Sequence, residues 1–310
     1  MSKLESFNQK NLFGLNKYIN ELIKLYESGQ YPNKLMISGL KGSGKSTLSY
    51  HFINYVLSKD EKTSYDKKNF IINSESNTFK TIQNKSNPNF NLVDLSSDKK
   101  SIEINQIRDL ILNLNKSSFN SKPRFVLIDN IEFLNVNAIN ALLKTLEDPN
   151  HNIFFLLINN NKRILPTLFS RCVNYKISLT NNECLKIASD LLGKNLSQEM
   201  NNNLFSYYFT PGKIYNLVKF AEFYEYSLSD LDLKSLLKII LKENHYKKDL
   251  FIKEIIFDLM EFYFRNLNST FSKKINSKYS YFINKISDTK SYNLDEESLF
   301  MEFEEEILNG

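Results

Sequence analysis

Eight consecutive residues, Gly39-Leu40-Lys41-Gly42-Ser43-Gly44-Lys45-Ser46, fit the pattern G-x-x-x-x-G-K-[ST]. Glycine has no Cβ, so a loop built on Gly39, Gly42 and Gly44 can turn its N–H groups inward around phosphate oxygens. A helix beginning near Lys45 adds the positive end of its dipole. In such a loop Lys45 reaches the β- and γ-phosphates and Ser46 holds Mg²⁺. Ser43 and Thr47 complete the candidate phosphate set, and the implied cofactor is ATP with Mg²⁺.

A second acidic group has to help hold the magnesium shell from a neighbouring strand. Asp129 closes the apolar run Phe125-Val126-Leu127-Ile128 and fits that place. A strand-end Asp can also simply cap the next turn. Hydrolysis needs one group more, to orient or deprotonate water. The residue after Asp129 is Asn130, whose amide cannot take a proton near neutral pH. Glu132 is two residues further on, a spacing that sets it aside. Weak or absent hydrolysis is therefore expected beside a good binding loop.

The elements that must position these residues follow from periodicity. Residues 15–29 read as a helix, with Leu15, Ile19, Leu22 and Leu25 in phase. Leu35–Ser38 reads as a strand before the loop, and Leu48, Phe52, Tyr55 and Val56 mark one face of the helix after it. Residues 58–90 are polar and read as a surface connection. Phe90–Leu95, Phe125–Ile128, Ile153–Ile158 and Val173–Ile177 read as strands. Helices over Ile102–Leu114 and around Ile139, Leu142, Leu143 and Leu146 lie between them. Alternating strands and helices imply a parallel sheet with helices on both faces. After Thr180 the pattern is helical only. The segment Phe251–Phe264 is apolar nearly all round, so it should be deeply buried or lie in a subunit contact. The run Glu302–Glu306 reads as a solvated acidic tail.

Composition sets further bounds. With 310 residues the chain is long for one core and suits two or three domains. Lys and Arg number 40 against 35 Asp and Glu, and this small excess permits modest contact with nucleic acid without demanding it. The two cysteines, Cys172 and Cys184, have no CxxC partners, which excludes a four-cysteine zinc site and fits a reducing cytoplasm. The start, Met1-Ser2-Lys3-Leu4-Glu5, has no apolar signal region. No run approaches the ~20 apolar residues of a membrane helix. A cytoplasmic protein without a membrane partner is expected.

The motifs together resemble one family. Val126-Leu127-Ile128-Asp129-Asn130, followed by Asn137-Ala138-Ile139-Asn140-Ala141-Leu142-Leu143-Lys144-Thr145-Leu146-Glu147-Asp148-Pro149, resembles the clamp-loader pattern of a Walker B strand and N-A-L-L-K-x-L-E-x-P. Ile153–Asn159 is similar to the sensor 1 strand, and Ser170-Arg171-Cys172 to the S-R-C signature. With Leu12-Phe13-Gly14 and the phosphate loop, the resemblance to clamp-loader subunits of the AAA+ superfamily spans residues 10–180. Clamp-loader motor subunits generally keep an Asp-Glu pair at the Walker B strand. The delta prime branch of DNA polymerase III generally loses it, as here. Many relatives carry a four-cysteine zinc module after the loop helix, which this chain lacks.

The resemblance implies a P-loop α/β domain over 1–178, a helical lid over 179–228 and a helical collar over 229–310. It implies that Arg171 acts in trans as an arginine finger on ATP held by the adjacent subunit. Lys213, after Pro211-Gly212, stands where the family often has a sensor 2 Arg, although a solvated lysine reads equally well. Asn159 is the sensor 1 candidate, and the register equally allows Asn160. The implied partners are motor (gamma/tau-like) and delta-like subunits, the sliding clamp indirectly and primer-template DNA weakly. Two alternatives remain open at this point. One is an active ATPase motor subunit of the same machine. The other is an unrelated P-loop NTPase such as a helicase loader.

Overall fold

The computed structural model describes residues 4–96, 99–116, 120–147, 152–201, 204, 209–268, 273–292 and 294–309. Asp148 and Pro149, the end of the motif that opens at Asn137, lie outside the described residues.

Five strands form one sheet: β1 (Lys34–Ser38), β2 (Phe90–Val93), β3 (Arg124–Ile128), β4 (Ile153–Asn159) and β5 (Val173–Lys176). Their order is β2-β3-β4-β1-β5, and every pairing is parallel. All carboxyl ends therefore share one edge of the sheet, where ligands of open α/β sheets bind. Successive side chains point to opposite faces. Val126 and Ile128 of β3 and Phe155 and Leu157 of β4 join one core with α4 (Ile104–Leu114) and α5 (Val136–Glu147), through Ile107, Leu110, Ala138, Leu142 and Leu146. Phe125 and Phe154 stack at 5.4 Å, and Phe125 meets Phe52 of α2 (Lys45–Leu57) edge-on. Double coverage explains why these strands are continuous apolar runs.

Four more helices surround the sheet: α1 (Asn16–Glu27), α3 (Asn77–Gln83), α6 (Pro166–Phe169) and α7 (Asn181–Leu192). The expected α/β class with helices after it is what the chain adopts. The stretch 58–90 is more than a surface connection. It contains α3, which buries Thr78, Phe79 and Ile82. Antiparallel bridges pair Ile71 with both Asp66 and Asn11. The Glu61 carboxylate accepts from Ser76 Oγ, Thr78 N and Thr78 Oγ1 at 2.8, 3.0 and 2.6 Å, and so ties the start of α3.

The chain divides into two compact units, Ser2–Gly193 with Thr210–Tyr215, and Lys194–Phe209 with Asn216–Gly310. The second is helical among its described residues. Its long helix Leu250–Asn268 buries Ile252, Ile255, Ile256, Leu259, Met260 and Phe264. Burial inside its own unit thus accounts for a helix that is apolar nearly all round. The acidic run at the end is not a simple solvated tail. Glu302 pairs with Lys285 and Glu306 with Lys278, while Phe303 and Leu308 between and beyond them are buried. Among the described residues no helix is long and apolar enough to cross a membrane.

Candidate functional site

The phosphate loop leaves β1 at Ser38, which the register sets beside Asn159 of β4. Gly44 adopts a left-handed φ of 85° at the cap of α2, a conformation costly for residues with a Cβ. Lys45 is 3% exposed, and its Nζ folds back to donate to the carbonyls of Gly39 and Leu40 at 2.9 and 2.8 Å. Burial pushes this ammonium down to about 8, against the upward pull of Asp129 and Glu132. Ser46 Oγ donates to Asp129 Oδ2 at 2.5 Å, so the two predicted magnesium-shell residues meet. Burial raises the Asp129 carboxyl to about 6, which the Ser46 hydrogen bond opposes and the charge of Asp94 reinforces. Ser43 Oγ is buried without a hydrogen-bond partner among the described residues. Thr47 lies half-buried in the first turn of α2.

Beyond Asp129 the strand ends form a polar chain. Asn130 takes a left-handed φ of 57°, and its backbone N–H donates to Asp129 Oδ1 at 2.8 Å. Its side-chain Nδ2 donates to Asp94 Oδ1 and its Oδ1 accepts from Asn160 Nδ2, both at 2.8 Å. Asn160 Nδ2 also donates to Glu132 Oε1 at 2.8 Å. Asn160 therefore enters this cluster. The side chain of Asn159 instead closes on the backbone of Lys162, at 3.1 Å to its O and 3.0 Å from its N. Glu132, set aside on spacing, belongs to the cluster after all. Asp94 was not singled out from sequence. Its signal was available: a polar residue one step past the apolar end of β2, as Asp129 stands past β3 and Asn160 past β4.

The start of the helix Pro211–Phe223 docks on the loop. Thr210 Oγ1 donates to Lys41 O at 2.8 Å and Gly212 N to Gly42 O at 2.9 Å. A Cβ on Gly42 would lie 2.6 Å from Thr210 Oγ1, and one on Gly212 would lie 3.0 Å from Gly42 Cα. This approach sets the Lys213 backbone N beside Gly42, through contacts no motif announces. Arg171 stands apart from the loop cluster. Its Nε and Nη2 both donate to Glu147 Oε1 at 3.0 and 2.6 Å, and its Nη1 to Thr167 O at 2.8 Å. The side chain is 35% exposed, so it sits on the surface of the unit. The neighbouring Cys172 thiol is pushed up to about 11 by burial, which leaves it a poor nucleophile at neutral pH.

These residues fit a magnesium nucleotide. A loop hydroxyl is buried without a partner, Ser46 and Asp129 already meet, and one buried lysine faces the loop. Lys45, Ser43 and the loop amides would hold the phosphates, and Ser46 with Asp129 the cation, whose charge would offset that of the phosphates. Each end of the Asn130 amide holds one partner, and the amide offers no basic atom to take a proton from water. Among the described residues no group of three or more His, Cys, Asp and Glu side chains could hold a metal ion directly.

The model of the family described as DNA polymerase III, delta subunit, matches residues 14–181, more than half of the chain. The chain belongs to that family. Among its relatives, the DNA polymerase III subunit delta' of Pseudomonas aeruginosa is 29% identical over 145 residues, covering 46% of this chain and 42% of that protein. The subunit gamma of Buchnera aphidicola subsp. Schizaphis graminum is 26% identical over 175 residues, covering 56% and 46%. The subunit delta' of the same organism is 24% identical over 287 residues, covering 85% and 84%. The chain spans less than half of the first two of these relatives. Relatives of both kinds, delta' and gamma, match the chain, and the likeness to delta' is the one that the Asp129-Asn130 pair led one to expect.

Proposed function

We propose that this chain is a delta-prime-like subunit of the DNA polymerase III clamp loader, largely non-hydrolysing, that helps load the sliding clamp onto primed DNA. It binds ATP weakly and contributes Arg171 in trans to the ATP held by an adjacent motor subunit. One observation carries the reading. The position after Asp129 holds an amide with both ends engaged, while an exposed arginine sits on the surface of the same unit. The guanidinium suits the role because it is planar, permanently charged and able to fork onto phosphate oxygens. Partners on this reading are motor (gamma/tau-like) and delta-like subunits, with primer-template DNA touched weakly, in the cytoplasm. On this reading the chain divides into 1–178, 179–228 and 229–310. Thr180 opens α7 with a capping box, and Asp232 caps the helix Leu233–Lys242. The test is a reconstituted loader carrying Arg171→Ala. Loss of DNA-stimulated ATP turnover with assembly intact supports the reading, and full activity removes it.

The motor-subunit reading keeps one specific support, the intact Lys45 and the Ser46–Asp129 contact. Steady ATP turnover by the isolated chain, abolished by Lys45→Ala, would favour it. The helicase-loader reading has no such support beside the family match.

A further inference from the structure

The carbonyls of Gly39, Leu40, Lys41 and Gly42 follow one another along the phosphate loop, and each meets a donor. Lys45 Nζ donates to the first two at 2.9 and 2.8 Å. Thr210 Oγ1 donates to Lys41 O at 2.8 Å and Gly212 N to Gly42 O at 2.9 Å. The two clamps differ in what a nucleotide would do to them. Lys45 cannot stay on its carbonyls and also reach a phosphate, so the first clamp opens as the ligand arrives. The second uses no group that a phosphate needs. A trans peptide sets its C=O and N–H on opposite sides. Holding Lys41 O at Thr210 therefore fixes the direction of the Gly42 N–H.

The residues before and at the start of the helix Pro211–Phe223 suit this second clamp. A threonine at a helix start ordinarily accepts from an N–H of the first turn. Here Gly212 N is spent on the loop, and the Thr210 hydroxyl acts as a donor to Lys41 O. Pro211 brings no N–H of its own. Gly212 lets the two backbones close, since a Cβ there would lie 3.0 Å from Gly42 Cα. Thr210 is 1% exposed, so water does not compete for its hydroxyl.

We propose that Thr210 is a positioning residue for nucleotide binding. With Gly212 it holds the middle of the phosphate loop in its binding shape once Lys45 has left its carbonyls. This inference rests on the nucleotide-site reading above. Thr210 touches no phosphate and acts through the Lys41–Gly42 peptide. Ser43, whose buried Oγ has no partner among the described residues, follows that peptide directly, so a loop that slackens there misplaces this hydroxyl as well.

The experiment titrates the full chain, T210V and T210S with a fluorescent ATP analogue and Mg²⁺, and then displaces the analogue with inorganic tripolyphosphate. Valine keeps the volume and loses the donor, whereas serine keeps the donor. T210V should bind both probes about 3–10-fold more weakly, the range set by one lost hydrogen bond. T210S should stay within about twofold of the parent on the same scale. Tripolyphosphate has neither base nor sugar, so an equal loss on both probes puts the effect at the phosphates. If T210V does not fold, T210A replaces it under the same expectation. A merely structural Thr210 would lower the urea midpoint and leave both affinities at the parent's values, which overturns the inference. A loss confined to the ATP analogue overturns it too, as does T210S binding as weakly as T210V. A parent chain that binds neither probe overturns the nucleotide-site reading and this inference with it, whereas a parent that binds and a T210V that matches it remove the inference alone.

Discussion

Arg171 is clasped by Glu147, with two guanidinium nitrogens on one carboxylate oxygen at 3.0 and 2.6 Å. Both side chains are well exposed, 35% and 58%. An ion pair so hydrated is worth about 0–1 kcal/mol. On the proposed function, a clasp this weak would open when a triphosphate competes for the arginine.

Glu147→Gln should therefore leave stability within about 1 kcal/mol of the parent. In a reconstituted loader it should leave DNA-stimulated ATP turnover equal or raised. Arg171→Ala should lower that turnover by on the order of 10³-fold. Steady-state ATPase assays on the two loaders, with urea melts of the isolated chains, check all three statements.

Lys45 is buried as a cation whose pKa is lowered from 10.5 to about 8. The folded state disfavours the charged form, so the cost is full below pH 8 and is released as pH rises from 8 toward 10.5. Lys45→Met should stabilise the chain without nucleotide at pH 7 by about 1–3 kcal/mol, with the gain fading at alkaline pH. The same variant should lose any rise in melting temperature that Mg-ATP gives the parent. Thermal melts with and without Mg-ATP measure both.

Asp129 has the opposite sign. Its folded pKa of about 6 lies above 3.8, so its stabilisation is present below the unfolded value and lost as pH rises through about 6. Above that pH the ionised group costs roughly 3 kcal/mol at most. Asp129→Asn should be more stable than the parent above pH 6, and the difference should vanish by about pH 4. Urea denaturation across that range would show a flat difference if Asp129 were unperturbed.

Glu61 holds the start of α3 through three hydrogen bonds to Ser76 and Thr78. Ser76 and Thr78 are both buried, so removing their acceptor leaves polar groups stranded. Glu61→Ala should cost about 1.5–3 kcal/mol, and Glu61→Gln less. Chemical denaturation reads the cost. A chelator should have no effect on the stability of residues 58–90 as followed by hydrogen exchange.

The sheet was legible because Phe125–Ile128 and Ile153–Ile158 are buried on both faces and leave unbroken apolar runs. The loop was legible because a phosphate cradle needs fixed residue types at fixed spacing. Helix α3 was not, since only Phe79 and Ile82 supply its apolar signal in a polar stretch. Asn160 was legible only as an alternative register for Asn159, and Asp94 only as a polar residue one step past β2; their meeting arises from three strands ending side by side, which no spacing along the chain reports. The docking of Thr210 and Gly212 on Lys41 and Gly42 runs through main-chain atoms and one hydroxyl, which composition does not mark. The acidic run at 302–306 misled because its partners, Lys285 and Lys278, come from another helix.

The facing glycines, Gly42 and Gly212, bear on how such a motif ages. A Cβ on Gly42 would run into Thr210 Oγ1 at 2.6 Å, and one on Gly212 would crowd Gly42 Cα at 3.0 Å. A lineage could abandon ATP altogether and still be unable to replace Gly42 without rebuilding the neighbouring turn. Persistence of that glycine records a steric obligation between the loop and the Thr210 hydroxyl that docks on it. Only the fates of Lys45, Ser46 and Asp129 would register whether triphosphate is still in use.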